Sequence, residues 1–268
     1  MNHIRRPSAG NEAAPFPEQR HAFGTLLNIG SRPDQQDSIA ISDVTNEALC
    51  AQRGVLLTLA DGMGGLANGG AVSRLLVTAL QQAFVQRPVD TSPAPWLLEL
   101  LGDANRQVNQ MLEGSDPSGS TLVMALIQGN QLYHLSVGDS RLYLARGEGL
   151  ILLNREQTYG RKLDLTLLKE ILPASAVASH PQRRSLTSYV GMGDLEGVDR
   201  NTIPLTLLPG DTVLLLSDGV FNTLSEAEIA SALRSNPDTA AIRLERMVLE
   251  RRKPYQDNFS GILYRYGL

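Results

Sequence analysis

The sequence predicts an α+β fold in which helices cover antiparallel sheets. Apolar segments with strand spacing follow one another without a helix between them, and segments with helical spacing come two at a time. A doubly wound α/β chain would alternate the two kinds. In chain order, HAFGTLLNIG (21–30) and DSIAISDV (37–44) read as strands on either side of the turn-rich SRPDQQ, and GVLLTLA (54–60) reads as a buried strand. AVSRLLVTALQQAFV (71–85) and PWLLELLGDANRQVNQML (95–112) carry apolar residues at helical spacing. Four strand-like runs come next: STLVMALIQ, QLYHLSV, RLYLAR and LILLN. They are punctuated by Gly129-Asn130, Gly138-Asp139 and GEG (147–149), the pattern of consecutive hairpins. RKLDLTLLKEIL (161–172) is helical again. NTIPLTLL (201–208) and TVLLLS (212–217) are strands around the turn Pro209-Gly210-Asp211, SEAEIASALRS and TAAIRLERMVLERR are helices, and NFSGILYRY closes as a strand.

No repeat, low-complexity core segment or interdomain linker interrupts this pattern, so residues 20–268 are expected to form one domain. Residues 1–19, rich in Pro, Ala and Glu, are expected to be a disordered tail. They lack the apolar centre of a signal peptide. With 42% hydrophobic and 19% charged residues, a well-filled core is expected. A net charge of −4 argues against nucleic acid as a partner, and the basic run Arg251-Arg252-Lys253 ends a helical pattern, where cations complement the helix dipole. No apolar run approaches the ~18 residues that span a bilayer, so no membrane partner is expected. The single cysteine, Cys50, excludes an intrachain disulfide and a Cys-based zinc site, and suits a reducing, cytoplasmic setting.

The glycine-rich stretch LADGMGGLANGG (59–70) matches a dinucleotide-binding string, with Asp90 roughly 20 residues further on. The context opposes that reading. A Rossmann unit runs strand, helix, strand, whereas here one helical pattern follows another. Asp61 would also set negative charge against the pyrophosphate. A phosphate-binding loop fails as well, since no Lys-Ser or Lys-Thr pair follows the glycines.

The carboxylate pattern recurs, however. LLTLADG and LLLSDGV are both apolar strands ending in Asp-Gly, LSVGDSR ends a strand with Gly-Asp, PYQDNFSG sets Asp257 before the last strand, and RPDQQDS sets Asp37 at the start of one. A single Asp-Gly is most often a turn. Several acids at strand ends can converge on one rim, where they repel unless cations lie between them. Carboxylates without neighbouring Cys or His suit hard ions such as Mg²⁺ or Mn²⁺. None of His3, His21, His134 and His180 has ligand spacing.

The series RPDQQDS, LADGMGG, SVGDSRLYL, LLLSDGV and QDNFSG, in that order, resembles the metal-dependent (type 2C) serine/threonine protein phosphatases in their compact bacterial form. HPQRRSLTSYVG (180–191) is similar to the family's linker after its helical insertion. The resemblance covers about residues 21 to 266. It implies a four-layer α-β-β-α sandwich, two antiparallel sheets flanked by antiparallel helix pairs, and hydrolysis of phosphoserine and phosphothreonine on proteins by a metal-bridging water. It implies that Asp37, Asp61, Asp218 and Asp257 ligate two Mn²⁺ or Mg²⁺ ions, with Asp61 bridging them and the Gly62 carbonyl completing one shell. Asp139 resembles an acid that helps hold a third, weaker ion, and Arg32 matches the arginine that grips the substrate phosphate. The implied partners are phosphorylated substrates of a serine/threonine kinase. Gln36 stands where many members have glutamate, and Met63 where several have a histidine proposed as general acid. The flap segment 156–179 is not typical in detail. A catalytically inactive adaptor of the same fold is the alternative; such a protein is expected to have lost metal carboxylates, and every matched aspartate is present here.

Overall fold

The computed structural model of the chain describes residues 21–63, 68–169, 171 and 173–267. The expected tail at 1–19 and glycine-loop residues 64–67 lie outside the described residues. The chain begins with β1 (Ala22–Asn28), β2 (Asp37–Ile41), α1 (Glu47–Arg53) and β3 (Val55–Asp61). The long helices α2 (Gly69–Gln86) and α3 (Pro93–Met111) follow, and then β4 (Leu122–Gln128), β5 (Gln131–Val137), β6 (Arg141–Arg146) and β7 (Gly149–Leu152). The flap region holds α4 (Tyr159–Leu168) and α5 (Ala174–Ala178). After it come β8 (Asp199–Arg200), β9 (Leu205–Thr206), β10 (Thr212–Leu216), α6 (Asp218–Phe221), α7 (Glu226–Ala232), α8 (Pro237–Glu250) and β11 (Phe259–Arg265).

The strands form two antiparallel sheets, one in the order β1-β11-β10-β6-β7 and the other β2-β3-β4-β5-β8, with β9 also on β5. Side-chain alternation decides which layer each residue joins. On β3, Val55, Leu57 and Leu59 pack between the sheets, while Leu56 and Ala60 face Leu76, Leu80 and Leu101 of α2 and α3. On β10, Val213 and Leu215 join the same central layer, and Leu214 and Leu216 pack against Leu244 and Val248 of α8. Strands covered on both faces read as unbroken apolar runs, which is why LLTLA and VLLL show no alternation. The result is the expected α-β-β-α sandwich.

Local signals explain several boundaries. Asn236 caps α8, accepting from the Thr239 N–H at 2.8 Å, with Pro237 in the first turn. Ser225 and Glu228 form a reciprocal capping box at α7. Gly129-Asn130 makes the expected hairpin, pairing Gln128 with Gln131, and Gly129 supplies φ 61°.

Three expectations need correcting, and three short helices were not expected. Gly138-Asp139 is not a hairpin turn, because β5 and β6 belong to different sheets and the chain crosses between them there. NTIPLTLL forms only the two-residue β9: Pro204 has no N–H for the ladder, and the Asn201 side chain bonds Leu132 O and Ile203 O instead. The helix expected over 161–172 starts at Tyr159, where Thr158 caps it, and ends at Leu168 ahead of Pro173. The helices α1, α5 and α6 are too short for their periodicity to stand out.

Candidate active site

The acids converge because the chain changes sheets repeatedly at one end of the sandwich. Residues 29–36 leave β1 and enter β2 in the other sheet, so Asp37 opens β2. The β2–β3 register then sets Asp37 directly opposite Asp61, the last residue of β3. At the same end, the β5-to-β6 crossing carries Asp139, β10 runs out through Ser217 into Asp218 at the start of α6, and Asp257 lies just before β11, beside β10. The charge of Asp61 meets those of Asp37, Asp218, Asp139 and Asp257. The acids noticed at separate strand ends therefore stand in one cluster.

Polar groups inside the surrounding strands hold this arrangement. Ser217, fully buried, donates to Asp37 Oδ2 at 2.8 Å while accepting from the Ser260 N–H at 2.9 Å. The Asp61 N–H donates to Thr121 Oγ1, which bonds Ser140 Oγ at 2.7 Å, and the Asp61 carbonyl accepts from Thr121 N–H and Ser120 Oγ. Asn258 bonds Ile29 O, Asp34 O and the Gln36 N–H, so it clamps the 29–36 loop from both sides of its turn. Close backbone approach explains two of the glycines. A Cβ on Gly62 would lie 2.4 Å from the Gly69 carbonyl oxygen, and one on Gly219 would lie 2.1 Å from that of Asn258.

The electrostatics follow from crowding. Asp37 is only 4% exposed, whereas Asp61, Asp139, Asp218 and Asp257 keep an edge toward solvent at the rim. Burial, opposed by hydrogen bonds and aided by the charge of Asp257, raises Asp37 to about 6. Burial and then the charges of Asp139, Asp257 and Asp37 raise Asp218 to about 7. Asp139 is raised to about 6 by burial and by Glu156. Asp61 is raised well above the usual carboxylate range by burial and by its four acidic neighbours. Like charges directly opposed in a sheet repel, and a cation is what such a set lacks. Among the described residues no three acidic, histidine or cysteine side chains already stand at ligand spacing. The donor set is nevertheless that of a hard divalent ion: carboxylate oxygens from separate segments, held by buried hydrogen bonds and mutually destabilised while ionised.

Arg32 lies at the rim, its Nη2 donating to Asp257 Oδ2 at 2.8 Å, with the two side chains 45% and 41% exposed. A pair this exposed is weak, so its guanidinium can turn to another anion. Next to Asp139 and Asp218 opens a groove of about 710 Å³ bounded by α4 and the 178–184 segment. A larger cavity of about 830 Å³, lined by Gly147, Gly210 and Arg265, touches none of the acids. Ser217, Thr121, Ser140 and Asn258 were not among the sequence-derived candidates. Their signal is a polar residue inside or at the end of an apolar strand, as in LLLS and NFSG.

Comparison with known proteins identifies the family. The family described as protein phosphatase 2C matches residues 33–247. The chain belongs to that family, and its enzyme class is serine/threonine protein phosphatase. It is 34% identical over 189 residues to protein phosphatase PhpP of Streptococcus pneumoniae, spanning 68% of this chain and 73% of that protein. The structure of PppA, a key regulatory component of T6SS in Pseudomonas aeruginosa, superposes with a TM-score of 0.73 at 30% identity, over 92% of this chain and 97% of that one. The serine/threonine phosphatase of S. agalactiae superposes with a TM-score of 0.77 at 26% identity, over 92% and 99%.

Proposed function

We propose that the chain hydrolyses phosphoserine and phosphothreonine on proteins at this acid cluster, with Asp37, Asp61, Asp218 and Asp257 holding two Mn²⁺ or Mg²⁺ ions. The observation that carries this reading is the convergence of five carboxylates, each from a different segment, at one end of the sandwich, where Asp139 and Asp218 line a groove. Bound there, the ions would acidify a water and draw charge from the phosphoryl oxygens. Asp61, central among the acids, is the ligand expected to serve both ions, with the Gly62 carbonyl beside it. Ser217 orients Asp37 by donating to one oxygen, leaving the other to face the cluster. Arg32 binds phosphate oxygens with a planar fork that two parallel hydrogen bonds can fill, exchanging its contact with Asp257 for the substrate. Asp139, beyond the four, marks the place of a third and weaker ion.

No side chain in this set is required as a nucleophile, so the phosphoryl group passes to water without an enzyme ester. We assign residues 20–268 to one catalytic domain acting in the cytoplasm, on proteins phosphorylated by a serine/threonine kinase. The retention of every matched acid supports an active enzyme over an adaptor.

The test uses a phosphothreonine peptide. Chelated wild type should be inactive and recover with Mn²⁺ or Mg²⁺, while Ca²⁺, which prefers longer bonds and more ligands, should not restore turnover. Asp61→Asn should fail to recover, losing roughly a hundredfold or more. Near-normal turnover of Asp61→Asn at saturating Mn²⁺ would overturn the assignment.

A further inference from the structure

The groove lined by Asp139 and Asp218 holds as many arginines as acids, but two of its acids belong to the cluster assigned to the metal ions, which leaves two of its arginines without a carboxylate of their own. Four arginines line it: Arg141, Arg161, Arg183 and Arg184. Two are committed, Arg141 to Glu156 and Arg183 to Asp164 at 2.8 Å. Among the described residues, Arg161 and Arg184 have no ion-pair partner, and both are exposed. Arg184 is close enough to the acid cluster for its charge to be felt by Asp139 and Asp218. Arg161 sits in the first turn of α4, where a cation is set against the helix dipole and adds to a positive field instead of relieving one. The helix start cannot itself take up an anion, because its N–H groups are occupied. Tyr159 N donates to Ser185 O, Gly160 N to Arg183 O, and Arg161 N is capped by Thr158. Among the cationic side chains lining the groove, the two guanidinium groups without an ion pair are the ones free to meet an anion.

We propose that this groove reads a second anionic group on the substrate, adjacent to the phosphoresidue being hydrolysed, with Arg161 and Arg184 as the specificity-determining residues. The substrate class is then a protein segment in which the target phosphoserine or phosphothreonine is flanked by an acidic or second phosphorylated residue. A planar guanidinium matches either anion, and phosphate more strongly because it carries more charge. The contact lies on the groove side of Asp139 and Asp218, away from Arg32 beside Asp257, so it acts on substrate affinity. This inference rests on the phosphatase reading above.

The experiment compares phosphothreonine peptides that differ only beside the phosphoresidue, with alanine, glutamate or a second phosphate on either flank. For wild type with Mn²⁺, an anionic flank should raise kcat/KM about tenfold through KM, the scale of one charge-assisted contact, with the second phosphate above glutamate. The gain should shrink as salt screens the exposed guanidinium groups. Arg161→Ala with Arg184→Ala should bring the anionic peptides down to the alanine peptide and leave kcat on that peptide unchanged, and Lys at both positions should restore part of the gain. Equal kcat/KM on all peptides in wild type, or a preference that survives the double variant, overturns the proposal. Turnover of no peptide at all would instead count against the phosphatase reading, so the two failures are distinct.

Discussion

Asp37 and Asp61 face each other across β2 and β3, and burial, followed by the crowding of like charges, sets the acid–base behaviour of the metal-free cluster. The carboxyls of Asp37, Asp139 and Asp218 are raised from 3.8 to about 6, about 6 and about 7. Between the unfolded and folded values the native state holds protons that the unfolded chain has released. These three groups therefore make stability fall as pH rises from about 4 to about 7, and Asp61, also raised, acts in the same direction. His21 and His134, both lowered by burial, act in the opposite direction, so the informative comparison is between wild type and Asp218→Asn. The urea midpoint of chelated wild type should fall, relative to that of Asp218→Asn, between pH 5 and pH 7. A parallel course of the two midpoints would remove the repulsion argument. For Arg32→Ala the expectation is a raised KM with the acids still able to bind Mn²⁺. A charge-assisted hydrogen bond to phosphate is worth about 1.5–3 kcal/mol, more than the exposed pair with Asp257 that the arginine gives up. Unchanged KM and kcat would reduce Arg32 to a surface residue.

At the scale of elements, the site depends on loops being tied to strands. Asn258 is 4% exposed and makes three hydrogen bonds to the 29–36 loop. Asn258→Ala leaves those backbone groups without their partner, so a loss of about 1–3 kcal/mol is expected. Activity should fall as well, because Asp37 hangs from the same loop. Denaturant unfolding with a parallel phosphopeptide assay checks both, and a stability loss with full activity would show that the clamp does not position Asp37. The β5-to-β6 crossing makes a related point. Gly138, with φ 100° and Thr121 Cβ only 2.7 Å from where a Cβ would sit, turns the chain from one sheet into the other. Asp139 is delivered to the acid cluster by that crossing, and a hairpin would have kept it within a single sheet.

For the whole molecule, the site lies where both sheets end, so an ion bound there ties the two halves of the sandwich together. Binding to the native state alone stabilises by mass action, about 2.7 kcal/mol at a hundred times the dissociation constant. Mn²⁺ should therefore raise the Tm of chelated protein in a concentration-dependent way, and the rise should be smaller in Asp61→Asn. A Tm insensitive to Mn²⁺ in wild type would mean that the cluster does not hold the ion in the folded state.

Much of this protein was legible in its sequence because the signals are local. Apolar periodicity marked α2, α3, α8 and most strands, and acids at strand ends, with glycine beside Asp61, Asp139 and Asp218, singled out these three together with Asp37 and Asp257. What the sequence could not determine are pairings between distant segments. The reading of Gly138-Asp139 as a hairpin failed because a turn signal records that the chain bends, and the sheet that the next strand joins depends on which remote face buries its side chains. Ser217 reaches Asp37, 180 residues away along the chain, and Arg32 meets Asp257 at a separation of 225, contacts that no window of neighbouring residues contains. The unpaired guanidinium groups of Arg161 and Arg184 were equally invisible, since an arginine's partner is settled by which carboxylates the fold brings within reach. The sequence by itself determined the chemical inventory and the order of its elements, because propensity and periodicity act over a few residues. Only the tertiary structure decided that the acids meet at one end of the sandwich beside a groove with two unpaired arginines, because burial of both sheet faces chose which strands lie together.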